Sequence, residues 1–158
     1  MRRCWAQRGK RVVVPRQLKY EWGYTYGALD CVSGAAEFLH TNGVSLETRQ
    51  CFLEQLAASD GEAQHVVIWD QAGFHQRPDD PQLPQNVHLL PLPPYSPELN
   101  PIEQLWDITK DVICNQVFAT MDALNEKLNE ALRPYWEDAK CVLALIGDRY
   151  LTVPVNAS

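Results

Sequence analysis

Two acidic residues, Asp70 and Glu103, occupy positions where a chain can present carboxylates to a ligand. The run His65-Val-Val-Ile-Trp-Asp70 reads as a short buried strand ending on an acid, followed by the turn Gln71-Ala-Gly-Phe-His75. In open α/β sheets, ligand-binding groups gather just beyond the carboxyl ends of parallel strands, which is where Asp70 falls. Glu103 closes the stretch Leu92-Pro-Pro-Tyr-Ser-Pro-Glu-Leu-Asn-Pro-Ile-Glu103. Here Asn100 is a good N-cap, Pro101 suits the first helical position, and Glu103 is third, a carboxylate at the positive end of the helix. Both are oxygen donors suited to a hard divalent cation. Each also has a plain role, Asp70 as the start of a turn and Glu103 as the acid of a capping box.

Three further residues stand close enough in sequence to serve the same place. His75 follows Asp70 in its turn and can contact phosphate, orient a water or sit on a surface loop. Asp107 lies one turn beyond Glu103 on the same helix face, as a supporting acid or a solvated one. Lys110, a further turn on, is a candidate phosphate contact, although a helical lysine is most often only solvated. The segment Leu92-Pro-Pro-Tyr95 has the form of a proline-rich ligand for WW-type domains, but its place before the Glu103 helix favours a rigid tether.

Taken together, Asp70-Gln-Ala-Gly-Phe-His75, Leu90-Pro-Leu-Pro-Pro-Tyr-Ser-Pro-Glu-Leu-Asn-Pro-Ile-Glu103, Trp106 and Lys110 resemble the catalytic domain of insertion-sequence transposases of the mariner superfamily. The resemblance runs from Trp5-Ala-Gln-Arg-Gly9 through the helix after Glu103. It implies a DDE transposase with a ribonuclease-H-like fold, a mixed α/β sheet flanked by helices. In such enzymes two aspartates and a third acid hold two Mg²⁺ ions, with Mn²⁺ as a substitute, for DNA strand cleavage and strand transfer. Asp70 matches the second acid and Glu103 the third. The first, on a central strand upstream of the tryptophan–glycine segment, has no counterpart here. Asp30, in Gly27-Ala-Leu-Asp-Cys-Val-Ser-Gly34, looks like part of a hairpin turn instead. The expectation is a family member lacking its amino-terminal portion and its first central strand, with weak activity on its own. Two alternatives stand beside it: a non-catalytic remnant that binds DNA or a transposase partner, and a related metal-dependent nuclease completing its site differently.

The bulk properties fit this frame. A chain of 158 residues with 46% hydrophobic and 22% charged residues is ordinary globular material for one core. No apolar run reaches the length of a membrane span and no leader pattern follows the basic start, so the expected location is the cytoplasm. Five cysteines without close pairs argue against a disulfide framework or a zinc knuckle. P-loop, dinucleotide and serine-elbow patterns are missing.

Charge is divided unevenly. The net charge is −6, yet seven of the 14 basic residues, Arg2, Arg3, Arg8, Lys10, Arg11, Arg16 and Lys19, precede the first acid, Glu21. This predicts a basic arm over residues 1–19 on an acidic body over 20–158, which the resemblance implies is the catalytic domain. The arm, with Arg2, Arg3, Arg8, Lys10 and Arg11 as DNA contacts, either neutralises phosphates or merely aids solubility. The resemblance favours DNA, both transposon ends and target, as partner, and further copies of the chain are a second candidate.

The supporting elements follow from periodicity. Trp22, Tyr24 and Tyr26 alternate onto one face of a strand, read as core packing, and Ala35 to His40 forms its hairpin partner. Ser45 caps a helix to about Ala58 whose apolar face comprises Leu46, Cys51, Phe52, Leu53 and Leu56. That helix crosses over to the Asp70 strand, and a strand from Asn86 to Leu90 runs parallel to it. A helix from Met121 to Ala131 breaks near Pro134, and Cys141 to Ile146 is a packing element of open type.

Overall fold

The computed structural model describes residues 8–9, 21–69 and 80–147. Strands β1 (Tyr24–Leu29) and β2 (Ala36–Thr41) form an antiparallel hairpin in which Tyr26 faces Leu39 and Leu29 faces Ala36. Its turn is fixed by Asp30, whose Oδ1 accepts the N–H groups of Val32 at 2.7 Å and Ser33 at 3.1 Å. Gly34 closes it at φ +79°, where a side chain would be strained. Helix α1 (Leu46–Ser59) follows, with Ser45 Oγ accepting from Thr48 N and Ser45 N donating to Thr48 Oγ1, a reciprocal cap. It leads to β3 (His65–Trp69), which pairs in parallel with β4 (Val87–Pro91), Trp69 opposite Pro91.

The two-residue period of the hairpin sorts its side chains between two layers. Tyr26, Ala28 and Leu39 face α1 and join a core of Phe52, Leu53, Leu56, Val87 and Leu89, with Val67 and Trp69 packed against it. The opposite face of the hairpin carries Leu29 and Phe38. These pack on helices α2 (Ile102–Ile113) and α3 (Met121–Glu137) through Ile102, Leu105, Trp106, Leu132 and Tyr135. Helix α4 (Ala139–Ile146) adds Leu145 to this second cluster. The architecture is therefore mixed α/β, two small sheets flanked by four helices, as the ribonuclease-H-like expectation requires. Among the described residues no strand pairs β1 with β3, and Val66, Ile68 and Leu90 on the far face of β3 and β4 are exposed.

Several local expectations need correction. Trp22 precedes β1 and is 71% exposed, Tyr24 is 42% exposed, and only Tyr26 enters the core, stacking on Phe52 with ring centroids 5.5 Å apart. The buried stripe of α1 is Arg49, Phe52, Leu53 and Leu56, so Leu46 and Cys51 point outward. Helix α3 does not break at Pro134 but continues to Glu137. Leu132 and Tyr135, anchored in the second cluster, hold both sides of the proline, and Asp138 N still donates to Pro134 O at 3.1 Å. Cys141 to Ile146 belongs to a helix, begun by Asp138 Oδ1 accepting from Lys140 N.

Candidate active site

The candidate acid Glu103 is positioned by a chain of local causes. Trp69, the last residue of β3, accepts a hydrogen bond at 2.8 Å from the N–H of Leu92, which is buried. This ties the end of β3 to the start of the proline-rich connection. The connection makes a 3₁₀ turn at Pro97–Leu99 and reaches Asn100, extended at φ −104°, then Pro101, already helical at φ −61°. Asn100 caps the new helix through both of its oxygens. Its side-chain Oδ1 lies 3.4 Å from Ile102 N and its carbonyl 3.1 Å from Glu103 N. The regular α-helix starts one residue later than expected, at Ile102, because the first bonds, Glu103 N to Asn100 O and Gln104 N to Pro101 O, span three residues as in a 3₁₀ turn.

On this first turn Ile102 and Leu105 face inward while Glu103 is half-buried. Among the described residues its carboxylate has no hydrogen-bond or ion-pair partner, so its oxygens are available to a cation or water. Asp107 is differently committed, 3.8 Å from Lys110 Nζ, with both side chains exposed. At that exposure the pair contributes little to stability and leaves the lysine at the surface, where phosphate can reach it.

Helix α2 is held by Trp106, whose indole lies directly over Gly27 of β1. A β-carbon built on Gly27 would stand 2.8 Å from one indole carbon and 2.9 Å from another. Phe38 closes the contact from the side, edge-on to Trp106 with ring centroids 6.3 Å apart. The close approach of strand and helix three residues from Glu103 thus depends on a glycine, a role the pattern Tyr26-Gly-Ala does not reveal.

Asp70 and His75 lie outside the described residues, as do Arg2, Arg3, Lys10 and Arg11. Arg8 is described and exposed, beside Gly9 at φ +87°. Asp30 is occupied by its own turn. Burial raises its carboxyl, but the Ser33 hydroxyl and the Val32 and Ser33 N–H groups outweigh that and, with the His65 imidazole, hold it below the ordinary range. A carboxylate bound so fully to its own hairpin is a structural group. Burial beside Asp30 raises the Cys31 thiol, keeping it protonated and unreactive.

Sequence reasoning also missed Arg49. It is 3% exposed on the inner stripe of α1, its Nε donates to Ser45 O at 3.2 Å, and its Nη1 has no partner. The Tyr26 hydroxyl is likewise buried without one. The spacing of Arg49 to Phe52, Leu53 and Leu56, three, four and seven residues, was the available signal.

Small sheets flanked by helices, with an uncommitted glutamate opening the helix beyond a parallel strand pair, define a mixed α/β domain consistent with ribonuclease-H-like DDE endonucleases. The chain belongs to the DDE superfamily endonuclease family, whose model matches residues 1–125. It is 36% identical over 103 residues to the uncharacterized protein y4pE/y4sA of Sinorhizobium fredii (strain NBRC 101917 / NGR234), covering 64% of this chain and 76% of that protein. No solved structure matches it significantly. No helix among the described residues is long and apolar enough to cross a membrane.

The donor chemistry at Glu103 fits the divalent metals that DDE endonucleases generally use, since a free carboxylate supplies the oxygen ligand a hard cation requires. Among the described residues no three His, Cys, Asp or Glu side chains converge as a metal site.

Proposed function

We propose that the chain is the catalytic part of an insertion-sequence transposase of the mariner superfamily, acting on DNA by metal-dependent strand cleavage and strand transfer. The observation that carries this is the uncommitted Glu103 carboxylate on the first turn of α2, tied through Leu92 to the end of the strand that precedes Asp70. Asp70 and Glu103 would hold Mg²⁺ or Mn²⁺, which when bound lowers the pKa of an attacking water or hydroxyl and offsets charge on the phosphorus. The residues themselves position. Asn100 and Pro101 fix the helix start and Trp106 fixes its distance from β1, so the Glu103 oxygens are presented without reorganisation. Lys110 supplies a phosphate contact, His75 orients a water or the substrate, and Asp107 tempers the charge of Lys110. Arg2, Arg3, Arg8, Lys10 and Arg11 bind the DNA backbone.

With two acids matching the family triad, the 158-residue chain is expected to nick supercoiled plasmid weakly. The test therefore reads metal binding as well as cleavage. Mg²⁺ or Mn²⁺ should raise Tm in the wild type, and Asp70→Asn and Glu103→Gln should each abolish that shift together with residual nicking. Loss of neither would refute the site. A second reading is a DNA- or transposase-binding protein without cleavage, since only two acids of this chain match the family triad. Tight DNA binding with no metal effect would select it.

A further inference from the structure

We propose that Tyr95 is a stacking platform for a nucleobase flanking the phosphate that is cut, an assignment that rests on the DNA-cleavage reading above. Tyr95 is 102% exposed and has φ +59°. Asn115 shares that backbone region, but asparagine tolerates it, whereas a bulky tyrosine there is an outlier. The ring itself contributes no packing to the fold, being entirely in solvent. Such residues persist where surrounding structure imposes them, and they cluster at ligand sites.

The imposing structure is evident on both sides. Pro93 and Pro94 restrict the chain before Tyr95, and the Ser96 hydroxyl donates to Pro94 O at 3.3 Å. Behind it, Leu99 N donates to Ser96 O at 3.2 Å and Asn100 N to Pro97 O at 3.0 Å. At the other end Leu92 is buried and bonded to β3. The backbone that carries the ring is thus fixed in advance, so only side-chain freedom is lost when the ring meets a flat partner.

Reach selects the partner. Even if the two steps after Tyr95 were fully extended, the 3₁₀ turn and the helix start would keep the Tyr95 and Glu103 α-carbons within about 17 Å. Nucleotides in one strand are spaced by about 3.4 Å, so the ring lies within about five nucleotides of a phosphate held at Glu103. Every base has a face for stacking, whatever the sequence, and an unpaired strand beside a cut end exposes such faces. The proline-rich motif does not suit a WW-type groove. That mode needs an accessible polyproline helix, whereas Leu92 is locked in the fold and Tyr95 has the opposite sign of φ.

The test uses the full chain and a single-stranded oligonucleotide carrying one 2-aminopurine, in Mg²⁺. Wild type and Tyr95→Phe should quench the fluorophore. Tyr95→Asn, which suits the left-handed backbone and preserves the loop, should lose most of the quenching and bind about tenfold more weakly, with Tyr95→Ala alike. Full quenching and affinity in Tyr95→Asn at unchanged Tm would overturn the assignment. So would Tyr95-dependent binding of a WW domain without any quenching by DNA. The cleavage reading fails separately, and takes this proposal with it, if the wild type binds no DNA or if Glu103→Gln keeps the Mg²⁺-induced rise in Tm.

Discussion

Gly27→Ala separates two physical effects of opposite sign. Gly27 lies inside β1 without a left-handed φ, so alanine on its own should help by about 0.4–1 kcal/mol through the unfolded chain. Against this, the new β-carbon would stand 2.8 and 2.9 Å from Trp106 and 3.0 Å from Phe38. The indole cannot swing aside cheaply because Phe38 packs against its edge and Trp136 packs against Phe38 at 6.0 Å. Overpacking of this kind costs about 1–3 kcal/mol, so a net loss of about 1–2 kcal/mol is expected. For a chain of this size that lowers Tm by about 2–8 °C. Because Trp106 sits one turn from Glu103, the variant should also weaken the Mg²⁺-induced rise in Tm. A double-mutant cycle with Trp106→Leu checks the cause, since removing the indole should make the alanine harmless and leave a coupling of about 1 kcal/mol or more. Thermal denaturation of the four proteins decides it. A neutral or stabilising Gly27→Ala would show that β1 and α2 are not packed as described and that Glu103 is not held by this contact.

Arg49→Met should leave the isolated chain as stable or raise its stability by about 1–4 kcal/mol, because a buried guanidinium with an unpartnered nitrogen is replaced by an apolar chain of similar volume; a large loss in urea denaturation would mean that Arg49 is well paired. Asp30→Asn should cost under about 1 kcal/mol at neutral pH, the group being largely exposed. The folded Asp30 pKa is depressed, so its contribution is present above the unfolded value near 4 and is lost as pH falls through the lower folded one, and the two proteins should converge in Tm there. Gly34→Ala combines a left-handed φ of +79° with a β-carbon 2.5 Å from the Ala139 carbonyl, so it should destabilise by about 2 kcal/mol or more, read as a fall in Tm. Neutralising Arg2, Arg3, Arg8 and Arg11 together should flatten the dependence of DNA affinity on salt, and an unchanged slope would exclude the arm as the contact surface.

What was legible in the sequence was whatever a single element encodes. Ser45 announces α1 because a hydroxyl before an apolar stripe has one obvious use, and Asn100-Pro-Ile-Glu103 announces α2 in the same way. The strand from Asn86 to Leu90 was expected parallel to the strand before Asp70, and β4 does pair with β3 in that direction. What failed was whatever depends on two elements at once. Alternation put Trp22, Tyr24 and Tyr26 on one face, but α1 covers only the Tyr26 level of that face, leaving the others at the open end. Proline should stop a helix, yet Leu132 and Tyr135 are anchored on either side of Pro134 and carry α3 through it. Of the candidate site, the placement of Glu103 was legible because its cap is local. The glycine–tryptophan contact that holds its helix was not, since a glycine in a strand carries no sign of what lies above it.

The two packing clusters place different demands on the candidate site. The first, around Phe52 and Leu53, binds α1 to both sheets and so sets where β3 ends. The second, around Leu105 and Leu132, binds α2 to the hairpin and so sets where Glu103 stands. The Leu92–Trp69 hydrogen bond joins β3 directly to the connection leading to Glu103. Packing on α1 alone therefore does not fix a carboxylate at the end of β3 relative to one on α2. Under the proposed function the proline-rich stretch between them must be stiff, since any slack would be transmitted to the distance between two groups that would share a cation. On this argument the prolines of Leu92-Pro-Pro-Tyr-Ser-Pro97 are part of the site's geometry although none carries a ligand atom.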